Sequence, residues 1–190
     1  MKKSHTYKIL MISILSAISF ILMLISIPLP FFPPFLKFDI GDLPAYIGFA
    51  VFGGGVGVLI IFIKIIIYSF IVSSEPIGPI ANLLASLSYL LPLYLVYVRT
   101  KTKKSLVIGI GVGTIVMTLV LSVLNYFILL PLYGMILDQR DVFENVKTLV
   151  TAGIIPFNIV KGILLGLVIY FVHIKIIPIL KKQKERGQHS

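Results

Sequence analysis

Three stretches of this sequence contain no charged side chain at all: Ile9–Ile27, Leu106–Leu124 and Ile163–Val172. A helix needs ~20 mainly apolar residues to cross the hydrocarbon core of a bilayer. Over the whole chain, 58% of residues are hydrophobic and only 13% are charged, whereas a soluble domain carries roughly 25% charged residues. The sequence therefore predicts an all-α integral membrane protein with no sizeable soluble domain. It contains no cysteine, which excludes disulfides and thiolate metal sites.

The apolar segments predict six transmembrane helices in a single membrane domain, 1–190. Their approximate bounds are 7–28, 42–53, 55–72, 78–98, 105–132 and 148–178. The second and third segments are separated by Gly53-Gly54-Gly55, and three consecutive glycines weaken a continuous helix. A helix over 42–53 would rise only ~18 Å in a ~30 Å core. One kinked helix over 42–72, giving five spans, is therefore the alternative.

The distribution of charge favours six spans. The net charge of +10 comes from three basic clusters, which contain twelve of the 17 Lys and Arg residues. The clusters are Lys2, Lys3 and Lys8; Arg99, Lys101, Lys103 and Lys104; and Lys175, Lys181, Lys182, Lys184 and Arg186. Six spans put all three on one side, which the positive-inside rule identifies as the cytoplasm. Both termini are then cytoplasmic, and the basic residues flank a bilayer rather than form a nucleic-acid footprint.

The same topology puts six of the seven acidic residues on the outer side. They are Asp39, Asp42, Glu75, Asp138, Asp141 and Glu144. Asp42 is interpreted as the N-cap of the second helix, with Pro44 just inside its first turn. Lys64 lies within the third apolar segment and has no assigned role: it could extend to an interface or contact a partner.

Lys161 lies within the last apolar segment, in Pro156-Phe157-Asn158-Ile159-Val160-Lys161-Gly162. A buried ammonium costs ~2.5–3.5 kcal/mol at the centre of a bilayer even on the mildest scale. Asn158 lies one turn earlier on the same helix face. We interpret Lys161 as a residue that contacts a polar ligand. The alternative is a lysine whose ammonium reaches an interface.

Other polar side chains fall at a similar predicted depth on three helices. Asn82, Ser86 and Tyr89 lie on the fourth, Ser122 and Asn125 on the fifth, and Asn158 with Lys161 on the sixth. Buried amides in membranes commonly bond across helices, but a convergent set beside a lysine could also line a pocket open to the outside. We favour the pocket. The proline-rich, apolar stretch Pro28–Leu36 is predicted to form a stiff outer loop that covers a ligand or neighbouring helices.

Motifs of catalysis and ATP binding are absent. The sequence has no zinc-binding His-x-x-x-His pair, no Gly-x-Ser-x-Gly elbow and no phosphate-binding Gly-x-x-x-x-Gly-Lys-[Ser/Thr] loop. Gly109-x-Gly111-x-Gly113 lies in an apolar segment and indicates close helix packing. Ser13 and Ala17 give a small-x-x-x-small spacing on the first helix, where another helix, internal or from a partner, could approach.

These features resemble the substrate-binding S-components of energy-coupling-factor (ECF) vitamin transporters, and among them the riboflavin-specific members. The resemblance covers most of the chain. Its most telling segments are Phe38-Asp39-x-Gly41-Asp42-Leu43-Pro44-Ala45 and Pro156-Phe157-Asn158-x-x-Lys161-Gly162.

The resemblance implies a six-helix S-component bundle in a bacterial plasma membrane that captures riboflavin from outside without catalysing a reaction. Its expected substrate-binding residues are Asn125, Asn158, Lys161, Asn82 and Asp39. Riboflavin would be bound as substrate, without a cofactor, and the lysine raises the possibility that flavin mononucleotide (FMN) also binds. The implied partners are a transmembrane coupling subunit and two cytoplasmic ATPases. The alternatives are an S-component for another vitamin, a membrane-embedded enzyme or a stand-alone carrier.

Overall fold

The structure, a computed structural model, describes residues 2–73, 75–136 and 145–189. Its helices are α1 (Lys2–Leu24), α2 (Asp42–Phe52), α3 (Gly54–Ile71), α4 (Ile77–Thr100), α5 (Lys103–Ile136), α6 (Val146–Lys175) and α7 (Ile177–His189). Between α1 and α2, the two-residue strands β1 (Ile27–Pro28) and β2 (Lys37–Phe38) pair antiparallel. Among the described residues, α1, α3, α4, α5 and α6 contain segments long and apolar enough to cross a membrane.

A chain reversal at Gly53 separates α2 from α3. Gly53 has φ of 99°, a backbone conformation that side-chain-bearing residues rarely adopt. The two helices then pack side by side: a Cβ placed on Gly48 would lie 3.3 Å from the Cα of Gly57. The segment 42–72 is therefore a helical hairpin. The glycine run separates two helices as predicted, and the alternative of one kinked helix is wrong.

The short helix α2 lies in the middle of the bundle. It packs against α1, α3, α4, α6 and α7, and Ala45, Tyr46 and Phe49 are essentially inaccessible to solvent. Helices that are apolar on all sides belong in the interior of a bundle. This central position explains why a helix of only 11 residues is so apolar.

Close backbone contacts join α4 and α5. A Cβ on Gly109 would lie 2.8 Å from the carbonyl oxygen of Leu93, and one on Gly113 would lie 2.5 Å from that of Tyr89. These two glycines therefore let the helices approach to backbone contact, as predicted. The third glycine of the motif, Gly111, has open space beside it.

The helices differ from the predicted segments mainly at their ends. The first predicted segment, 7–28, is helical only to Leu24, because the following residues form the strand pair. The last, 148–178, ends at Lys175, where Ile176 interrupts the helix and α7 begins. The predicted outer residues Asp138, Asp141 and Glu144 lie outside the described residues.

The α2–α3 contact generates a stability prediction. A methyl group on Gly57 would overlap the ring of Phe49, which is itself buried at 1% exposure. We expect Gly57→Ala to destabilise the protein by roughly 1–3 kcal/mol, the usual cost of overpacking a core. The measurement is thermal unfolding in detergent, followed by circular dichroism.

Gly55→Ala is the matched control, since a Cβ there meets nothing within 4 Å. It should leave the melting temperature unchanged or slightly raised. Equal melting temperatures for the two variants would show that the hairpin does not depend on this close approach.

Candidate ligand-binding site

A cavity of about 320 Å³ lies between the loop after α1 and the helices α3, α4, α5 and α6. Its size is within the range of ~300–1,000 Å³ found for small-molecule sites. Its polar lining comes from Ser26, Lys37, Asp39, Ser73, Glu75, Asn82, Asn125, Asn158 and Lys161. Its aromatic lining comes from Phe35, Tyr68, Tyr133 and Phe157. Apolar walls with a few convergent polar groups are typical of pockets for flat organic ligands.

The structure brings all five sequence-predicted site residues to this one cavity. Asn82 reaches it from α4, Asn125 from α5, Asn158 and Lys161 from α6, and Asp39 from the end of the first loop. Asn158 and Lys161 are 2% and 5% exposed. Lys161 therefore does not extend to an interface, and the alternative interpretation of that lysine is wrong.

Two of the amides have a defined orientation. The Nδ2 group of Asn125 donates to the carbonyl oxygen of Leu121 at 2.8 Å, and that of Asn158 donates to the carbonyl oxygen of Ile154 at 2.9 Å. Each bond uses an N–H of the side-chain amide and a backbone acceptor in the same helix. The carbonyl oxygen of each amide then remains to accept a hydrogen bond from a ligand.

Lys161 is partnered by a carboxylate. Its Nζ lies 3.7 Å from Oδ2 of Asp39, while the other oxygen, Oδ1, accepts the backbone N–H of Gly41 at 2.8 Å. Both side chains are buried. An ion pair at the wall leaves little net charge in the cavity and lowers the cost of burying the ammonium. A neutral ligand with polar edges suits these walls better than a strongly charged one.

Both α5 and α6 contain a π-helical segment next to the cavity. The first is Asn125–Leu129, which begins at one of the predicted site residues. The second is Leu149–Ile154, whose last carbonyl accepts the amide of Asn158. Such segments insert an extra residue into a helical turn and are frequent at functional sites. Here they position the two asparagines.

The first loop covers one side of the cavity, as its composition predicted. Phe32 contacts the ring of Phe157 edge-on, with centroids 5.5 Å apart, and Phe35 lies 6.1 Å from the ring of Tyr133. A Cβ on Gly153 would lie 3.3 Å from Pro33, so the loop rests directly on α6. The loop therefore packs on α5 and α6 and also contributes to the cavity lining.

A buried polar network adjoins the cavity and involves Lys64. Its Nζ lies 2.6 Å from Oδ1 of Asp42 and also donates to Ser86 Oγ at 3.2 Å and to Asn82 Oδ1 at 3.3 Å. Ser86 Oγ in turn donates to Asp42 Oδ1 at 2.5 Å. Lys64 is fully buried. The network joins α2, α3 and α4, and it holds the Asn82 side chain through its carbonyl oxygen.

This network corrects the interpretation of Asp42. It is the first residue of α2 rather than its N-cap, which is Gly41 without a side-chain cap. Its carboxylate is 4% exposed and pairs with Lys64 instead of the helix N–H groups. A buried ammonium attracts a carboxylate more strongly than terminal amides do, because both charges are otherwise unpaired in an apolar interior.

Three members of the predicted polar pattern lie elsewhere. Ser86 belongs to the Lys64 network, Tyr89 donates to the carbonyl oxygen of Gly162 at 2.8 Å, and Ser122 donates to its own helix at Thr118. Sequence reasoning also missed the aromatic lining and Glu75, whose carboxylate accepts the backbone N–H of Ile77 and Gly78. Apolar character alone does not distinguish the four lining aromatics from those that are exposed on the outside of the bundle, such as Phe70 and Phe127.

Comparisons with known proteins identify the family. The family model for the "ECF transporter, substrate-specific component" matches residues 7–173. Over 175 residues the chain is 42% identical to the riboflavin transporter RibU of Staphylococcus aureus (strain TCH60), covering 92% of this chain and 93% of that protein. It is 34% identical over 186 residues to the riboflavin transporter FmnP of Bacillus subtilis (strain 168), covering 96% and 98%.

The fold agrees with a solved structure described as "Structure and mechanism of the S component of a bacterial ECF transporter". The TM-score is 0.81 at 40% identity, covering 93% of this chain and 99% of that one. The chain therefore belongs to the substrate-specific components, or S-components, of ECF transporters. It is a multi-pass membrane subunit for transport rather than an enzyme, as its sequence predicted.

The Lys64 network generates a second prediction. Lys64→Met leaves the Asp42 carboxylate buried without its partner, and breaking a buried ion pair costs ~3–5 kcal/mol. We expect a marked fall in the melting temperature in detergent. The double variant Asp42→Asn with Lys64→Met should recover much of the loss, because the buried charge is then gone.

Lys147→Met is the control. Because Lys147 is exposed on α6, this variant should leave the melting temperature unchanged. A Lys64→Met protein as stable as the wild type would contradict a structural role for the ion pair.

Proposed function

We propose that the protein is the riboflavin-binding subunit of an ECF-type vitamin importer. The observation that carries this proposal is the convergence of Asn125, Asn158 and Lys161 on one cavity with aromatic walls, in a chain that belongs to the S-component family. The two relatives described above are both riboflavin transporters. Riboflavin would be the cargo of the subunit rather than a cofactor.

The chemistry of riboflavin fits this lining. Its flat ring system can pack against aromatic side chains, and one edge of the ring carries both N–H and C=O groups. The free carbonyl oxygens of Asn125 and Asn158 can accept from that N–H, while Lys161 can donate to a ring oxygen or a ribityl hydroxyl. The ligand is uncharged, so it leaves the Lys161–Asp39 pair intact.

The same ion pair affects the expected affinity for FMN. A phosphate next to Lys161 would gain a charge-assisted bond but would lie close to the carboxylate of Asp39, 3.7 Å from the ammonium. We propose that FMN binds, and more weakly than riboflavin. Competition by FMN against bound riboflavin tests this point, and a complete lack of competition would refute it.

The test of function is a riboflavin titration of purified protein in detergent, read by quenching of flavin fluorescence. Lys161→Ala and Asn158→Ala should each weaken binding by roughly 1–3 kcal/mol, the range for loss of a buried hydrogen bond. Lys147→Ala, an exposed lysine on the same helix, is the control and should bind like the wild type.

Stoichiometric binding by the wild type, with both variants weakened, supports the proposed site. Full affinity in both variants would remove Lys161 and Asn158 from the site. If another vitamin, such as thiamine or biotin, binds tightly while riboflavin does not, the second candidate, an S-component of different specificity, is favoured.

We further propose that the cavity opens to the outside of a bacterial plasma membrane and that both termini are cytoplasmic. Asp39, just before the start of α2, lines the cavity, whereas Lys101, Lys181 and Lys184 lie near the opposite end of α2. Excess basic residues mark the cytoplasmic side.

Single cysteines test this orientation, because the natural chain has none. Phe31→Cys, at a fully exposed loop position, should react with a membrane-impermeant maleimide in intact cells. Lys182→Cys, exposed on α7, should react only after the cells are lysed. The reverse pattern would invert the topology.

Transport requires partners in this proposal. The sequence has no ATP-binding loop, so hydrolysis would come from two cytoplasmic ATPases acting through a transmembrane coupling subunit. Ser13 and Ala17 are exposed on α1, so their small side chains are accessible to a helix of the coupling subunit.

A further inference from the structure

A second cavity lies at the far end of α2 and shares no lining residue with the first. Its volume is about 500 Å³. Its walls come from the end of α2 (49–53), the end of α4 and the helix α7. Three lysines line it, Lys101 from the end of α4 and Lys181 and Lys184 from α7, beside the aromatic side chains Phe49, Phe52, Tyr94 and Tyr97. We call it the basic cavity.

Lys184 is held in place at its wall. Its Nζ donates to the carbonyl oxygen of Val51 at 2.8 Å and lies 5.2 Å from the centre of the Phe52 ring. An ammonium has three N–H donors, and the bond to Val51 uses one of them. The side chain is thus fixed against the end of α2 with donors to spare, so a ligand would not have to order it.

The positive charge of the basic cavity is not balanced by its own lining. Among the described side chains, no carboxylate lines it. Burial lowers the pKa of the Lys181 ammonium, and the positive charges of Lys101 and Lys184 lower it further. Like charges held together in this way repel one another, and a bound anion would relieve the repulsion.

The backbone at Lys101 is a separate observation. This residue caps the end of α4 in the left-handed conformation, with φ of 53° and ψ of 30°. Glycine is the usual residue at such a position, and for other residues it costs ~1–2 kcal/mol. Helix termination alone would be served better by glycine, and the lysine found here instead lines the basic cavity.

We propose that the basic cavity binds a phosphate group, carried by the headgroup of an anionic phospholipid or present as free inorganic phosphate. Ammonium groups pair with phosphate as point charges. Basic pockets between helices at a membrane surface bind anionic headgroups, and the aromatic side chains offer apolar surface to the glycerol and the first methylenes of a lipid. This ligand is distinct from the cargo of the first cavity.

Matched triple variants separate a built site from general attraction to a basic surface. Lys101→Gln, Lys181→Gln and Lys184→Gln together remove the charges of the basic cavity. Lys103→Gln, Lys104→Gln and Lys182→Gln remove the same number of charges from the same two basic clusters, at exposed positions that do not line it. Circular dichroism and gel filtration show that each purified full-length variant is folded.

The lipid arm of the test is native mass spectrometry in detergent with phosphatidylglycerol or phosphatidylcholine. The wild type and the control triple should retain one phosphatidylglycerol in preference to phosphatidylcholine. The cavity triple should lose that preference, with affinity reduced on the order of fivefold for each lysine removed. The phosphate arm measures whether inorganic phosphate raises the melting temperature of wild type and control but not of the cavity triple.

The two arms identify the source of the phosphate, and a positive result in either supports the proposal. Equal behaviour of the two triples in both arms would overturn it, because the lysines would then act only as part of a basic surface.

A single variant, Lys101→Gly, tests the proposal even if the triple variant does not fold. Glycine suits the left-handed backbone, so this protein should be at least as stable as the wild type and yet bind phosphatidylglycerol or phosphate about fivefold more weakly. Unchanged affinity for both ligands in Lys101→Gly would contradict the role given to this lysine.

Discussion

The ion pair between Lys64 and Asp42 is the interaction on which the arrangement of the helices around the cavity depends. An unpaired ammonium or carboxylate in this apolar interior would cost several kcal/mol, so the two charges must meet. Their meeting fixes the register of α2 against α3, and the bonds from Lys64 to Ser86 and Asn82 extend the constraint to α4. One wall of the ligand cavity is therefore set by a contact outside it.

The opposite walls are set by close packing rather than by charge. Gly109 and Gly113 bring α5 against the backbone of α4. A Cβ on Gly162 would lie 2.5 Å from the side-chain oxygen of Thr114, so α6 packs closely on a side chain of α5. Helices in lipid gain little from hydrophobic association and rely on contacts of this kind. The π segments then break the regularity of α5 and α6 beside the cavity: one begins at Asn125, and the other ends at Ile154, whose carbonyl oxygen accepts from Asn158.

Several features of the site could be predicted from the sequence because burying polar groups in a membrane is costly. That cost singles out Lys161, Asn158, Asn125 and Asn82, and the prolines of the first loop indicate a rigid cover. Asp39 was predicted only through the resemblance to a family, and the structure shows that it is the partner of Lys161.

The Lys64–Asp42 pair was missed although the sequence contained a signal for it. Asp42 lies eleven residues before Gly53 and Lys64 eleven residues after it. A helical hairpin that turns at this glycine therefore places the two residues side by side. The N-cap interpretation of Asp42 considered only local preference. The π segments and the choice of lining aromatics had no such signal, because both depend on how whole helices pack.

The shortness of α2 also limits the route that a ligand can take. This 11-residue helix rises only about 16 Å, roughly half of the hydrocarbon core. It lies between the two cavities, and its middle is filled by the buried side chains of Ala45, Tyr46 and Phe49. A ligand in the first cavity therefore cannot pass along this helix. Delivery to the far side therefore requires the walls around the bound molecule to part or the subunit to turn as a body.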